Sequence, residues 1–399
     1  GEGDHEGAAR SYQRALSLDP DCVPAHLNLG VLLQLRGETA EAVLHFRRAC
    51  ELAPDSADAW LNLGFVLERG RDLRQARECY DRALAIDPDH IDARFNRSMV
   101  LLAQGDYAAG WEDYEWRWQA SGFPRPSYPQ PEWDGAVLRG ETVLLYTEQG
   151  FGDSIHFARY AALVAERGAR VVLRCQAELQ SLLRTVPGVS DVVTPEQAPA
   201  FDLHCSLLSV PRLFGTTPRT IPARIPYLRP DPARVEEWGA HMNAQAGFLK
   251  VGLVWASQSQ MPTATQKSIA LQALAPLSRA RNVRFYSLQT GAAGSGAAPL
   301  APFALCDLAA GIRDFADTAA IMANLDLTLS VDTAAAHLAG ALGRPVWTML
   351  PYAPDWRWYP ESRVTPWYPQ MRLYRQQAPG DWGSVCAKVA QDLKAIFPT

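Results

Sequence analysis

Ser330-Val-Asp-Thr-Ala-Ala-Ala-His-Leu-Ala-Gly-Ala-Leu-Gly-Arg-Pro-Val-Trp347 is the stretch on which the reading of the chain turns. Just before it, Leu325, Leu327 and Leu329 alternate with Asp326 and Thr328, and after Thr333 the residues are small and helix-forming. This pattern predicts a strand ending at Ser330, a tight turn, and a helix from about Thr333. A helix N-terminus presents unpaired backbone N–H groups and the positive end of its dipole, so Asp332, Thr333 and Ala334 mark a ready site for a diphosphate. The alanines let the backbone come close to such a group. His337 follows one turn on, on the face of Thr333, within reach of a phosphate oxygen. A plainer use fits the same residues: Asp-Thr before an alanine run is an ordinary helix cap, and His337 can be a satisfied core histidine.

Outward from this unit the chain alternates strand and helix. Ahead of it come strands at Lys250–Trp255 and Val283–Leu288, with helices at Leu271–Ser278 and Phe315–Asn324; after it comes a strand at Val346–Met349. An earlier alternation runs from Thr142–Tyr146 through a helix at 153–167, Arg170–Arg174, a helix at 177–185, and short strands at Asp191–Val193 and Asp202–His204. Both read as parallel, doubly wound sheets. A proline-rich segment, Pro211 to Pro232, separates them, giving an N-terminal Rossmann-like lobe at 141–230 and a C-terminal one at 231–399, closed by a helix at 382–396 expected to pack across both lobes.

Residues 332–346, Asp-Thr-Ala-x-x-His-Leu-Ala-x-Ala-Leu-Gly-x-Pro-Val, resemble the nucleotide-sugar signature of the lipopolysaccharide heptosyltransferase-like (glycosyltransferase family 9-like) enzymes. They resemble still more a bacterial group in which such a module follows tetratricopeptide repeats. Gln149-Gly-Phe-Gly-Asp-Ser-Ile-His-Phe-Ala-Arg-Tyr160, Val254-Trp-Ala256 and Pro351-Tyr-Ala-Pro-Asp-Trp-Arg-Trp358 extend the resemblance in the same order. It implies the two-lobed GT-B fold, with the acceptor on the first lobe and the nucleotide sugar on the second. It also implies that Asp153 is the base that deprotonates the acceptor hydroxyl, although an aspartate here can equally cap the helix starting at Ser154. His156 stands where the family usually carries glutamine and is a second base candidate. The loop Ala256–Ser268 departs from the family's Trp-Ala-Gly-Asn with histidine and arginine: it has Ser257, no histidine, and Lys267. Lys267 is placed to neutralise a leaving diphosphate in place of a metal. The residues expected at the donor are therefore Gln149, Gly150, Gly152, Trp255, Ser257, Lys267, Gln289, Asp332, Thr333, Ala334 and His337, with Asp153, His156 and Lys267 catalytic, although Gln289 can equally cap the glycine-rich loop at Gly291–Gly296. Pro351–Trp358 is expected to close over the donor or to be core. No cofactor or metal is expected: Asp87-Pro-Asp89 and Asp19-Pro-Asp21 belong to turns outside the catalytic half.

The first 120 residues carry a period of 34: Pro20, Pro54 and Pro88; Ala15, Ala49 and Ala83; Tyr12, Phe46 and Tyr80. Leu29-Gly30 recurs as Leu63-Gly64. This resembles the tetratricopeptide repeat, a superhelix of helix pairs in which a small residue lets the two helices approach, an aromatic fills the groove and proline stops the second helix. Repeats span 23–56 and 57–90, a degenerate one with Ser98 in the glycine position occupies 91–120, and a lone helix at 8–18 precedes them. That half-repeat implies a parent chain extending further N-terminally. Asn28, Asn62 and Asn96 share one register position. A row of carboxamides offers donors and acceptors to an extended peptide, as asparagine ladders do in the O-linked N-acetylglucosamine transferase, which joins the same module types. The alternative is that each asparagine bonds to a neighbouring helix. Trp111, Tyr114 and Trp118 form a stripe expected to be buried against the next domain, and residues 121–140, with Pro124, Pro126, Pro129 and Pro131, form a stiff linker.

A formal charge of −5 argues against nucleic acid or a general membrane surface as partner. Only four of the 38 basic residues are lysines, which singles out Lys267. Seven scattered cysteines without a Cys-x-x-Cys spacing read as reduced, buried thiols, and no apolar run or charged-then-apolar leader suggests a membrane span or export, so a cytoplasmic protein is expected. The reading is a metal-independent, inverting glycosyltransferase that moves a sugar from a nucleotide sugar to a hydroxyl of a protein held by the repeats, a bacterial flagellin or other surface protein by resemblance. Two alternatives are a non-catalytic adaptor that retains a nucleotide-binding fold, and a transferase acting on a glycan or lipid.

Overall fold

The computed structural model describes residues 5–120, 122, 124–197, 199–242, 247–258 and 264–396. The chain divides into two compact units, Gly1–Pro126 with Asp355–Pro360, and Ser127–Pro354 with Glu361–Thr399.

The first unit is helical: α1 (His5–Leu18), α2 (Val23–Leu35), α3 (Thr39–Leu52), α4 (Ala57–Arg69), α5 (Leu73–Ile86), α6 (Ile91–Ala103) and α7 (Tyr107–Tyr114), with a 3-10 turn at Glu115–Trp118. Capping explains the starts: Ser56 accepts from the Ala59 N–H, and Asp72 from that of Gln75. The 34-residue period pairs α2 with α3 and α4 with α5. A Cβ on Gly30 would lie 2.7 Å from the Phe46 ring, and one on Gly64 2.7 Å from that of Tyr80, so only glycine admits these fully buried rings. In the third pair Ser98 is buried and donates to the Phe95 carbonyl at 2.5 Å.

Asp355–Pro360 belongs to this helical unit, which the sequence-read boundaries do not anticipate. Trp356 meets Trp111 edge-on at 5.3 Å and Tyr107 at 6.1 Å. The hydroxyls of Tyr107 and Tyr359 are 2.8 Å apart, and Arg71 donates to the Pro360 carbonyl at 2.9 Å. The expectation that Pro351–Trp358 covers a donor is thus corrected for Trp356 and Trp358: both are buried with the repeats. Of the stripe, Trp111 packs on this returning segment, Tyr114 is buried with its ring against Phe95 and Trp111, and Trp118 is only partly buried.

The second unit contains two all-parallel sheets. In the first lobe run β1 (Thr142–Tyr146), α8 (Phe151–Phe157), α9 (Ala161–Glu166), β2 (Arg170–Arg174), α10 (Ala177–Leu183), β3 (Val189–Val193) and β4 (Leu203–Ser206), followed by α11 (Val210–Leu213) and α12 (Pro232–Met242). Then come β5 (Leu249–Val254), β6 (Val283–Ser287), β7 (Leu305–Asp307), α13 (Phe315–Ala323), β8 (Leu327–Val331), α14 (Ala334–Ala341), β9 (Val346–Leu350), β10 (Met371–Arg375) and α15 (Trp382–Ile396). The strand orders are β3-β2-β1-β4 and β10-β9-β8-β5-β6-β7. The second, taken from its other edge, is the 3-2-1-4-5-6 order of a doubly wound dinucleotide fold, and the first is its four-strand counterpart. The fully buried β8 and β9 suit a sheet covered on both faces. This is the α-superhelix followed by α/β, two-Rossmann-lobe architecture read from the sequence.

Several details differ. The helix read at 153–167 begins at Phe151, with Gly150 as its N-cap, and breaks into a 3-10 turn at Ala158–Tyr160. Pro276 supplies no N–H, and Leu271–Arg279 is 3-10 rather than α. α15 packs on the second lobe, where Val385, Cys386, Val389 and Leu393 join β5, β8 and β9 residues in one core. Part of the 121–140 linker is ordered by pairing, since the Trp133 N–H donates to the His204 carbonyl at 2.8 Å. The seven cysteines form no disulfide, and five of them are buried.

Candidate functional site: the two switch points of the α/β unit

In open parallel sheets a ligand crevice forms where neighbouring strands lead away to opposite sides, beyond their carboxyl ends. Here those points fall between β1 and β4, and between β5 and β8. Gln149, Gly150, Gly152 and Asp153 follow β1, Trp255 and Ser257 follow β5, and Asp332, Thr333 and Ala334 follow β8, whereas Gln289 follows the neighbouring β6 and Lys267 lies further along the loop that leaves β5.

At the second point the β5 exit is pinned. The Trp255 and Ala256 N–H groups both donate to Gln289 Oε1, at 3.0 and 2.8 Å. The Ser257 N–H donates to Ser268 Oγ at 3.0 Å, and the Ile269 N–H to the Trp255 carbonyl at 2.8 Å. Residues 259–263 of this loop lie outside the described residues. Two expectations are corrected: Gln289 is 1% exposed with its carboxamide committed to the loop backbone, and the Trp255 indole is core. Neither side chain is presented to a nucleotide; both shape the loop that would meet one.

Lys267 Nζ lies 2.7 Å from Asp332 Oδ2, their side chains 27% and 5% exposed. Burial of the carboxylate makes the ammonium partner necessary, because an unpaired charge there would be severely destabilising. Thr333 is the N-cap of α14 in an extended conformation, makes no side-chain cap bond, and has its hydroxyl 3.1 Å from Ser330 Oγ. Thr333, Ala334 and Ala335 are partly exposed, so the first turn of α14 reaches solvent beside the Lys267–Asp332 pair.

At the first point, Ser206 at the end of β4 donates to Glu148 Oε1 at 2.7 Å, just past the end of β1. The Gln149 carbonyl accepts from Gln176 Nε2 at 2.8 Å, which anchors the Gln149-Gly150 turn. Asp153 is the third residue of α8 and half-buried; Gly150, not Asp153, is the helix cap. A carboxylate in a first turn is favourable there without capping.

The two lobes meet through these helices. A Cβ on Gly152 would lie 3.1 Å from His337 Cδ2 and 3.6 Å from Ala334 Cα, so glycine lets the first turn of α8 rest on that of α14. Asp153 follows directly. The structure thereby brings together Gly152, Asp153, Ala334 and His337, with Thr333, Asp332 and Lys267 alongside.

His156 is corrected as a base candidate. It is fully buried, with Nδ1 3.0 Å from the Tyr368 oxygen and its ring 4.5 Å from that of Trp367. An acceptor does not reach it. His337 is 5% exposed and also places Nδ1 3.0 Å from the Tyr368 oxygen. Tyr368, Gln176 and Ser206 were not found from sequence; Gln176 and Ser206 stand at strand carboxyl ends, the one signal that could have flagged them.

Asn28, Asn62 and Asn96 occupy α2, α4 and α6 of the repeat unit, away from these residues in sequence and unit. Asn28 is exposed, Asn96 is half-buried, and Asn62 donates to the Asp58 carbonyl of its own helix at 2.8 Å. Among the described residues no three His, Cys, Asp or Glu side chains form a metal-binding group, and no helix is long and apolar enough to cross a membrane.

Family models described as tetratricopeptide repeat match residues 1–57, 57–90 and 79–112. A curated relative, Protein FlbA of Caulobacter vibrioides, is 29% identical over 334 residues, covering 74% of this chain and 53% of the relative. The chain thus spans about half the length of the curated relative it matches. Among solved structures, a glycosyl transferase family 9 protein from Veillonella parvula is 9% identical, covers 65% of this chain and 96% of its own, and has a TM-score of 0.47. The ADP-heptose lipopolysaccharide heptosyltransferase II of E. coli is 14% identical, covers 64% and 98%, and has the same TM-score. The chain joins tetratricopeptide repeats to an α/β unit of two all-parallel sheets.

Proposed function

We propose that the protein is a metal-independent, inverting glycosyltransferase that passes a sugar from a nucleotide sugar to a hydroxyl of a protein acceptor engaged by the repeats. The observation that carries this reading is the Lys267–Asp332 pair beside the first turn of α14, at the β5–β8 switch point, with Asp153 of α8 following the Gly152 contact. Asp153 takes the proton of the acceptor hydroxyl as its oxygen attacks the anomeric carbon. The bond from that carbon to the diphosphate breaks, and the nucleoside diphosphate leaves with the electron pair. Lys267 and the α14 N–H groups stabilise its growing charge. Asn28, Asn62 and Asn96 bind acceptor backbone. Replacing Asn28 and Asn96 with alanine separates this from a structural role, since Asn62 also serves its own helix.

A second reading, a non-catalytic adaptor, is favoured by the Lys267 ammonium already lying 2.7 Å from a carboxylate. Calorimetric titration with uridine, guanosine and adenosine diphosphates and their sugar conjugates tests both. At least one should bind saturably and its turnover should survive chelation of divalent cations. Binding without turnover on any acceptor class, protein, glycan or lipid, favours the adaptor.

A further inference from the structure

We propose that Arg159 is a positioning residue: its guanidinium pins the first lobe to the second at the carboxyl ends of α8 and α14, and so fixes where Asp153 stands against the first turn of α14. Arg159 follows α8 in the 3-10 turn Ala158–Tyr160 and is 3% exposed. Its Nε donates to the His156 carbonyl at 2.9 Å. Nη1 donates to the Trp367 carbonyl at 2.8 Å and, more loosely, to that of Pro222 at 3.4 Å, and Nη2 donates to the Tyr227 hydroxyl at 3.2 Å. These acceptors come from three segments: the end of α8, the proline-rich segment between the lobes, and the residues leading into β10. Among the described residues none of its hydrogen-bond partners is a carboxylate. An arginine keeps its charge throughout, and burying a cation without a counter-ion is costly unless dipoles and ring faces replace water. The carbonyl oxygens do so here, with the rings of Tyr368, Tyr227 and Trp367 centred 4.7, 4.8 and 5.3 Å from the guanidinium carbon.

The same segments hold the far end of α14. The Tyr227 and Leu228 N–H groups donate to the Ala341 carbonyl at 3.1 and 3.4 Å, and Gln370 Nε2 donates to that of Gly340 at 2.7 Å. The Tyr368 ring fills the space that a Cβ on Gly340 would need. The Tyr227 hydroxyl returns to α8 by donating to the Ile155 carbonyl at 3.0 Å. α8 and α14 are thus fastened together at both ends: through Arg159 and its neighbours at their carboxyl ends, and through Gly152 against Ala334 and His337 at their amino ends. Slack at the Arg159 end tilts α8 and displaces Asp153 from the Lys267–Asp332 pair. A planar fork of five N–H donors meets acceptors on separate segments at once, whereas a lysine ammonium is a compact point charge. The pin follows from these contacts; its consequence for Asp153 rests on the transfer reading above.

Amide hydrogen exchange by mass spectrometry on the full chain, in Arg159→Lys and Arg159→Met, reads the pin without any ligand. Residues 151–160 and 365–371 should exchange about tenfold faster in both variants, the scale of one lost hydrogen bond to a charged group, while β8 and β9 keep their protection. Unchanged exchange at those residues overturns the proposal. So does a rise spread equally over β8 and β9, which a general loss of stability would give. Full protection in Arg159→Lys also overturns it, because charge alone would then suffice. Should Arg159→Met fail to fold, Arg159→Lys decides. In parallel, release of nucleoside diphosphate from bound nucleotide sugar should slow about 10²-fold in Arg159→Lys at nearly unchanged donor affinity. Release at the parent rate contradicts the consequence drawn for Asp153. If the unaltered protein releases none from any nucleotide sugar, the transfer reading falls, and the exchange pattern still decides the pin.

Discussion

At the residue scale the central feature is that the positive charge read from the sequence as a phosphate ligand has a carboxylate partner, Asp332, that is 5% exposed. Lys267 then has two separable roles, and single substitution confounds them. Lys267→Ala should weaken nucleoside diphosphate binding by about 1.5–3 kcal/mol and also destabilise the fold by about 3–5 kcal/mol, because it strands a buried carboxylate. Adding Asp332→Asn should restore most of the stability and none of the binding. Denaturant midpoints beside calorimetry check this, and full recovery of binding in the double variant would show that Lys267 only neutralises Asp332. What was legible here was local: Asp332, Thr333 and His337 sit within six residues, and their helix register follows from spacing alone. Gln289 and Trp255 were misread because a strand-end position does not say which way a side chain turns. The junction of His156, His337 and Tyr368 was invisible for another reason: it joins three segments whose proximity depends on how the two lobes close.

At the scale of elements the repeats show how the 34-residue period becomes packing. Gly64→Ala drives a Cβ to 2.7 Å from the Tyr80 ring, and that ring is tethered by its hydroxyl, which donates to Glu68 Oε2 at 2.8 Å. Phe46 opposite Gly30 has no such tether. Both changes should destabilise, by about 1–3 kcal/mol, with Gly64→Ala the costlier; equal denaturant midpoints would contradict the tether. Glu68 adds a pH dependence. Desolvation pushes its carboxyl up to about 7, outweighing the Tyr80 hydrogen bond and the charge of Arg69. A carboxyl whose folded value is raised favours folding while protonated, so its contribution is full below the unfolded value near 4.5 and is lost as pH rises through about 7. Thermal unfolding of the full chain should therefore fall across that window more steeply than in Glu68→Gln; parallel curves would refute the shift. Elements missed from sequence have physical reasons. In α12, Asp231 accepts from the Ala233 N–H and Pro232 takes the first helical position, so a helix start passed for the end of a proline-rich linker. β7 has three residues and lies at a sheet edge, too short for periodicity to register.

At the scale of the whole molecule, strand order does what local motifs cannot. The motifs read from the sequence gain force because both fall where the parallel sheets switch direction. The class of fold was legible from alternation and period, since hydrophobic patterning determines which faces must be covered. The assignment of Asp355–Pro360 to the helical unit was not, because Trp356 and Trp358 declare only that they need burial. Asp153→Asn tests the proposed chemistry most directly, keeping the side chain's shape while removing the base; Gly150 caps α8, so the substitution leaves the cap in place. The measurement is single-turnover release of nucleoside diphosphate from the bound nucleotide sugar, with donor affinity determined on the same samples. Turnover about 10²–10⁴-fold slower at nearly unchanged affinity is the predicted result. Release at the parent rate in Asp153→Asn, or no release from any bound nucleotide sugar in the unaltered protein, would contradict it.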